Sequence, residues 1–168
     1  MRVLVTAASR HGATHEIAAA IADGLNRRGL AADVRPAESL ASLDGYDAFV
    51  IGSAVYVGRW LDPARSLVED NAGALADAPV WLFSSGPLGP PDDLKPEGDP
   101  VDVAGLMEKT GAAGHRVFAG RLDRGLLSFG EKAVVVAVRA PEGDFRDWDA
   151  IDAFAGEIAA ALTAAPSA

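Results

Sequence analysis

Apolar positions along the chain come in two patterns, short unbroken runs and longer stretches with a four-residue beat. Residues 3–8, VLVTAA, form an unbroken run closed by Ser9. A run of that kind predicts a parallel strand covered on both faces. From Thr14 to Arg28 the spacing changes, with Ile17, Ile21 and Leu25 four apart on one helical face. Thr14 is placed to cap that helix and Gly29 to end it. Ala32 to Arg35 predicts a second strand stopped by Pro36, residues 37–43 a brief helix, and Ala48 to Gly52 a third strand. Arg59 to Ala76 predicts a helix with Pro63 in its first turn and Leu61, Leu67, Val68 and Leu75 on its apolar side. Pro79 to Phe83 predicts a fourth strand, Val101 to Thr110 a helix and His115 to Ala119 a fifth strand. Asp149 to Thr163 closes the chain as a helix with Ile151, Phe154, Ile158 and Leu162 buried. Strands alternating with helices predict an α/β fold with a parallel, doubly wound sheet. The expected organisation is one domain over 1–168, with 164–168 as a frayed tail.

Two segments resist this pattern. Residues 90–103 hold four prolines and five acidic residues against one lysine, which predicts a solvated loop. Gly125 to Arg139, GLLSFGEKAVVVAVR, supports two readings. The β-branched run Ala133 to Val138 favours a strand, whereas Leu126, Leu127, Phe129, Val134 and Val138 fall on a wide helical stripe.

Composition narrows the chemistry. The 168 residues carry 15 Lys+Arg against 24 Asp+Glu, a formal net charge of −9, and no cysteine. A disulfide, a thiolate metal site and a cysteine nucleophile are thereby excluded. The acidic balance argues against non-specific nucleic-acid binding. The first apolar run is too short for a secretory signal, and no stretch approaches the roughly 18 apolar residues of a spanning helix. The expected location is cytoplasmic. No metal-ligand cluster and no evident catalytic acid or base stands out. His15 is expected to face solvent and His115 to be structural.

Three loops follow strand carboxyl ends, where ligands collect in open α/β sheets. The first, Ser9-Arg10-His11-Gly12-Ala13-Thr14, joins a buried strand to an amphipathic helix. Such a loop offers backbone N–H groups and a helix N-terminus to an anion, Gly12 permits close approach, and Ser9 and Thr14 add hydroxyls. It has neither the dinucleotide pattern G-x-G-x-x-G nor a Walker Gly-Lys-Ser/Thr, so a single small phosphate fits it best. The second loop, Ser53-Ala54-Val55-Tyr56-Val57-Gly58-Arg59-Trp60, sets the flat rings of Tyr56 and Trp60 among small residues. The third, Ser84-Ser85-Gly86-Pro87-Leu88, offers hydroxyl and backbone groups. Together they fit a planar ring bearing a phosphate tail. Beside them, Asp144, Arg146, Asp147, Trp148 and Asp149 read as a helix cap with an indole packed over it, or as an acidic docking patch.

The segments VLVTAASRHGATHEIA, YDAFVIGSAVYVGRW, VWLFSSGPLG and GDFRDWDAI resemble, over nearly the full length, the flavodoxin superfamily. More closely, they resemble the flavodoxin-domain group that includes menaquinone-dependent protoporphyrinogen oxidase. The resemblance implies a three-layer sandwich with strand order 2-1-3-4-5 and FMN as cofactor. It implies a phosphate loop at Ser9, Arg10, His11, Gly12, Ala13 and Thr14, and flavin-ring loops at Ser53, Ala54, Val55, Tyr56, Val57 and Gly58 and at Ser84, Ser85, Gly86, Pro87 and Leu88. His11 stands where the family carries threonine. The third loop lacks the family's stacking aromatic, which leaves one ring face open to a substrate or partner. Oxidase-type relatives carry an extra helical segment before the last helix, which would be Asp123 to Arg139 and favours the helical reading there. The implied activity is electron or hydride transfer through the flavin, by a carrier or by an enzyme. The implied partners are redox proteins or a quinone or porphyrin, with room for peripheral membrane contact. A non-redox domain that has lost FMN is the remaining alternative.

Overall fold

The structure, a computed structural model, describes residues 1–86, 102–137 and 142–164. Strand β1 (Arg2–Ala8) is followed by helix α1 (Ala13–Arg27), β2 (Ala31–Pro36) and a single 3₁₀ turn at Ala37–Ser39. Then come β3 (Ala48–Tyr56), β4 (Arg59–Trp60), α2 (Asp62–Asp70), α3 (Ala72–Ala76) and β5 (Val80–Ser85). The chain continues through α4 (Val103–Thr110), β6 (Gly114–Phe118), β7 (Arg121–Leu122), α5 (Phe129–Ala137), β8 (Gly143–Asp144) and α6 (Trp148–Ala164). The five long strands pair in parallel in the order β2-β1-β3-β5-β6. That is the expected 2-1-3-4-5 order, with the two-residue β4 as a side hairpin on β3.

The unbroken apolar runs have a direct cause. Side chains alternate across a strand, and here both faces are covered. Val3, Val5 and Ala7 of β1, Ala48 and Val50 of β3, and Trp81 and Phe83 of β5 pack under α1 and α6. Leu4, Phe49, Ile51 and Leu82 point to the other face, against Leu67, Val68 and Leu106 of α2 and α4. The α1–α6 layer is close-packed, since a Cβ at Gly24 would lie 2.7 Å from Ala155 Cβ. Arg27 and Arg28 clasp Asp152 across it at 2.7 and 2.8 Å.

Several boundaries differ from those expected. Strands β3 and β5 run on through Tyr56 and Ser85, so Ser53–Tyr56 and Ser84–Ser85 are strand, not loop. The helix expected from Arg59 begins only at Asp62, because Arg59 and Trp60 fold back antiparallel on Tyr56 and Val55. It breaks at Asn71, whose side-chain amide donates to Leu67 O at 2.8 Å and competes with helix continuation. Helical structure over 37–43 is limited to Ala37–Ser39, since Leu40 is extended. Thr14 does not cap α1: the helix starts one residue earlier, and Thr14 is its second residue and buried. Gly29, in the left-handed region, does terminate it. Asp102 and Val103 leave the expected acidic loop, for Val103 is buried at the start of α4 and Asp102 accepts from the Trp60 amide at 3.2 Å. The rest of that loop (90–101), Pro87, Leu88, residues 138–139 and 165–168 of the expected tail lie outside the described residues, while Ala164, also expected in the tail, is the last residue of α6. Between them, 129–137 is helical and not a strand. No helix among the described residues is long and apolar enough to cross a membrane.

Ile158 is fully buried between α6 and the sheet. Ile158→Ala should lower the unfolding free energy by about 2–5 kcal/mol, from lost burial plus the cavity left behind, as read by urea denaturation.

Candidate functional site

The carboxyl end of β1 delivers residues 9–12 to the start of α1. Ser9 Oγ accepts the Gly12 amide at 3.0 Å and closes the loop on itself. Gly12 sits at φ +88° with open space where a Cβ would be, so the approach to the helix end is clear. No side chain caps α1, and its first internal bond is Glu16 N to Gly12 O at 3.1 Å. The preceding amides, from Ala13 to His15, therefore face outward with the positive end of the helix dipole behind them.

Arg10 and His11 converge on one carboxylate. Arg10 Nη1 donates to Glu131 Oε1 at 2.7 Å, and His11 Nε2 donates to Glu131 Oε2 at 2.9 Å. An ionised carboxylate can only accept, so the His11 proton sits on Nε2. The Arg10 guanidinium holds the Glu131 carboxyl below the usual carboxylate range, against the opposing effect of burial, with Ser128 N–H and His11 assisting. Arg10 also lies 4.2 Å from the centre of the Tyr56 ring, linking the loop to the β3–β4 hairpin.

That hairpin turns on Val57 (φ +51°) and Gly58 (φ +72°), a two-residue turn with both central residues left-handed. Glycine suits the position; the β-branched Val57 is strained there and is 80% exposed. Trp60, expected beside a ligand ring, instead fills the core. Its indole N–H donates to Ser84 Oγ at 2.8 Å, and Ser84 Oγ shares a 2.8 Å bond with His115 Nε2. Ser53 Oγ donates to Ala54 O and accepts from Leu61 N. The hydroxyls of Ser53 and Ser84 are thus committed inside the fold, leaving backbone groups at these strand ends for a ligand. Gly86, at φ +110°, is buried and its amide donates to Phe118 O. Ala54 and Val55 are half-buried on β3, with Val55 packed against the core face that holds Trp60. His15 is not turned to solvent, because its Nε2 bonds Ala7 O at 3.0 Å. An open cleft of about 410 Å³ borders Arg10 and Tyr56 on the side of Arg59 and Asp62, with none of Ser84–Gly86 in its walls.

A second charged cluster surrounds the first turn of α1. Arg146, almost wholly buried, binds Asp144 at 2.6 Å, Glu16, and the Ala13 carbonyl at 3.3 Å. Arg121 pairs with Glu16 and reaches His11 O. Asp147 caps α6 through the Ala150 amide, and Trp148 stacks on Arg146 at 4.6 Å rather than over the cap. Sequence reasoning missed Glu131, Glu16 and Arg121, and it placed Arg146 in a cap or docking patch and not beside the first turn of α1. One local signal was available for Glu131: Ser128-Phe129-Gly130-Glu131 is a capping box. Glu131 N donates to Ser128 Oγ at 3.3 Å and Ser128 N to Glu131 Oε2 at 3.1 Å. That box marks a helix start and decides between helix and strand for this segment.

In sequence, the chain matches the flavodoxin domain over residues 4–149. No curated protein matches it in sequence. Solved structures with the same fold include a flavodoxin from the domain Archaea, 16% identical over 97% of this chain and 99% of that one, with TM-score 0.64. The flavodoxin of Streptococcus pneumoniae TIGR4 is 21% identical over 96% of this chain and 99% of that one, with TM-score 0.61. Rubredoxin oxygen:oxidoreductase from Desulfovibrio gigas is 12% identical, with TM-score 0.65, and 97% of this chain aligns to 36% of that larger one.

Two outcomes follow. Val57→Asn relieves the turn, because asparagine tolerates the left-handed region, and should raise the unfolding free energy by about 1 kcal/mol in denaturant titration. Glu131 in the unfolded chain titrates near the ordinary value of about 4.3, and its folded value lies lower. Its stabilisation is therefore complete above the unfolded value and lost as pH falls through the folded one. The stability difference between the native chain and Glu131→Gln should hold steady at neutral pH and shrink below about pH 4, as read by urea denaturation across pH.

Proposed function

The chain belongs to the flavodoxin-domain family, and from that premise we propose that it binds FMN and transfers electrons through it. The observation that carries this reading is the uncapped start of α1 behind Gly12. A donor-only cradle of outward amides, flanked by a guanidinium and an imidazole, suits a phosphate dianion and no cation. The amides from Ala13 to His15 would hold the phosphate. Tyr56 and Val57 would lie against one ring face, and the backbone of Ser84–Gly86 would meet the ring edge. The chemistry supplied there would be the flavin's own electron or hydride transfer. The protein's share is to bind the phosphate, orient the ring and shield it from water. With no aromatic among Ser84–Gly86, the second ring face is left for a redox protein or a small quinone or porphyrin. The compartment in this reading is the cytoplasm.

A second reading, an enzyme like menaquinone-dependent protoporphyrinogen oxidase or a quinone reductase, draws support from α5, a helix lying between the last sheet strand and α6. Turnover of protoporphyrinogen or a quinone by the FMN-loaded protein separates enzyme from carrier. A third reading, a flavodoxin-like domain without FMN, draws on the carboxylate already seated on Arg10 and His11. It predicts no FMN uptake.

Titration of the apoprotein with FMN, followed by flavin fluorescence, should show saturable binding at micromolar concentrations or below. Gly12→Val places a β-branched residue at φ +88° beneath the phosphate and should weaken that binding by at least about tenfold, the effect of roughly 1.4 kcal/mol. Absence of saturable binding by the unaltered chain would sink the flavin reading.

A further inference from the structure

We propose that Glu131 is an internal anion latch on the phosphate loop, so that a bound phosphate and a docked α5 compete for the side chains of Arg10 and His11. The inference rests on the reading of that loop as the FMN phosphate site and adds the means by which the site is regulated.

Four observations carry it. First, the two donor side chains of a loop otherwise open to an anion, one a guanidinium and one an imidazole, are both spent on one carboxylate, which comes from a helix 120 residues away. Carboxylate and phosphate oxygens accept from guanidinium and imidazole in the same way, so each can replace the other. Second, the Glu131 side chain is 11% exposed, against 45% for Arg10 and 33% for His11. A carboxylate taken that far from water needs those donors, whereas the donors themselves remain within reach of an incoming anion. Third, the other cations beside α1, Arg121 and Arg146, are held by Glu16 and Asp144 and cannot substitute for them. Fourth, among the described residues the apolar side chains at the start of α5 are largely exposed. Phe129 in its first turn is 91% exposed and Leu126 just before it 50% exposed, so neither of these two side chains anchors this end by burial. Losing Glu131 from the loop would release the helix start.

The coupling is reciprocal by thermodynamic necessity. A phosphate that captures Arg10 and His11 loosens α5, and whatever holds α5 down weakens phosphate binding. The flavin site and the mobility of α5 are then two readings of one equilibrium.

Glu131→Gln tests this, because the glutamine oxygen can keep the capping-box bond from Ser128 N while the substitution removes the charge and replaces one acceptor oxygen facing Arg10 and His11 with a donor. The unaltered and variant apoproteins would be titrated with FMN by flavin fluorescence. Amide hydrogen exchange over 129–137 would be followed on adding FMN and, separately, inorganic phosphate. The latch predicts about tenfold tighter FMN binding by the variant, the scale of one charge-assisted contact no longer competed for. It also predicts faster exchange over 129–137 in the unaltered chain on adding either ligand. Equal or weaker FMN binding by the variant, with exchange in the unaltered chain unchanged or slowed by FMN, overturns the latch alone. FMN binding by neither protein overturns the functional reading beneath it.

Discussion

Parallel pairing of β1 with β2 on one side and β3 on the other is the constraint from which the rest of the molecule follows. Strands that run the same way must be joined by crossovers, and most of these are helices that cover the faces of the sheet, while β2 reaches β3 through a 3₁₀ turn and loop. Every carboxyl end therefore opens at the same edge. The ends of β1, β3 and β5 lie side by side there, in register from Ala8 to Ser53 and from Ala54 to Ser85. The candidate site depends on no single loop, because the sheet brings three strand ends together.

Rigidity is distributed unevenly along that edge. Beneath it, the Trp60–Ser84–His115 chain and the Ser53 hydroxyl tie the ends of β3, β4, β5 and β6 together with satisfied hydrogen bonds. Above it, the hairpin tip is strained at Val57, and the start of α5 is held by a charge cluster instead of apolar packing. A frame fixed by buried hydrogen bonds thus lies beneath a rim held by a strained turn and an ion pair, the less constrained part of this edge. Arg10 bridges the rim, stacked on Tyr56 and paired with Glu131.

The net charge of −9 says little about this edge, where cations and carboxylates are paired locally. Glu16, Glu131 and Asp144 are each held below their ordinary range by an adjacent arginine, so the first turn of α1 sits in a balanced field and not an acidic one. In the proposed reading, an anion would bind here against the overall sign because screening confines the remote charges while the loop amides act at contact distance.

Much of the fold was legible from residue order alone. Unbroken runs such as VLVTAA identify strands buried on both faces, and Ile17, Ile21 and Leu25 identify the face of α1, because these patterns depend only on local geometry and solvent exclusion. The Gly12 turn ahead of α1 was legible for the same reason, but its uncapped start was not, since Thr14 was expected to cap it and instead lies buried within the helix. Strand ends were not: Ser53–Tyr56 and Ser84–Ser85 lack the apolar signature, and their pairing with neighbours from elsewhere in the chain keeps them extended. Trp60 could equally have faced a ligand, and the core claimed it because Ser84 lay within reach of its indole. The meeting of Arg10 and His11 with Glu131 spans 120 residues of chain, and charge partners at that separation are chosen only when packing brings two helices to one loop. Local pattern determined the elements and the anion-facing turn; tertiary structure decided which side chains reach that turn, since burial and charge pairing act between neighbours in space.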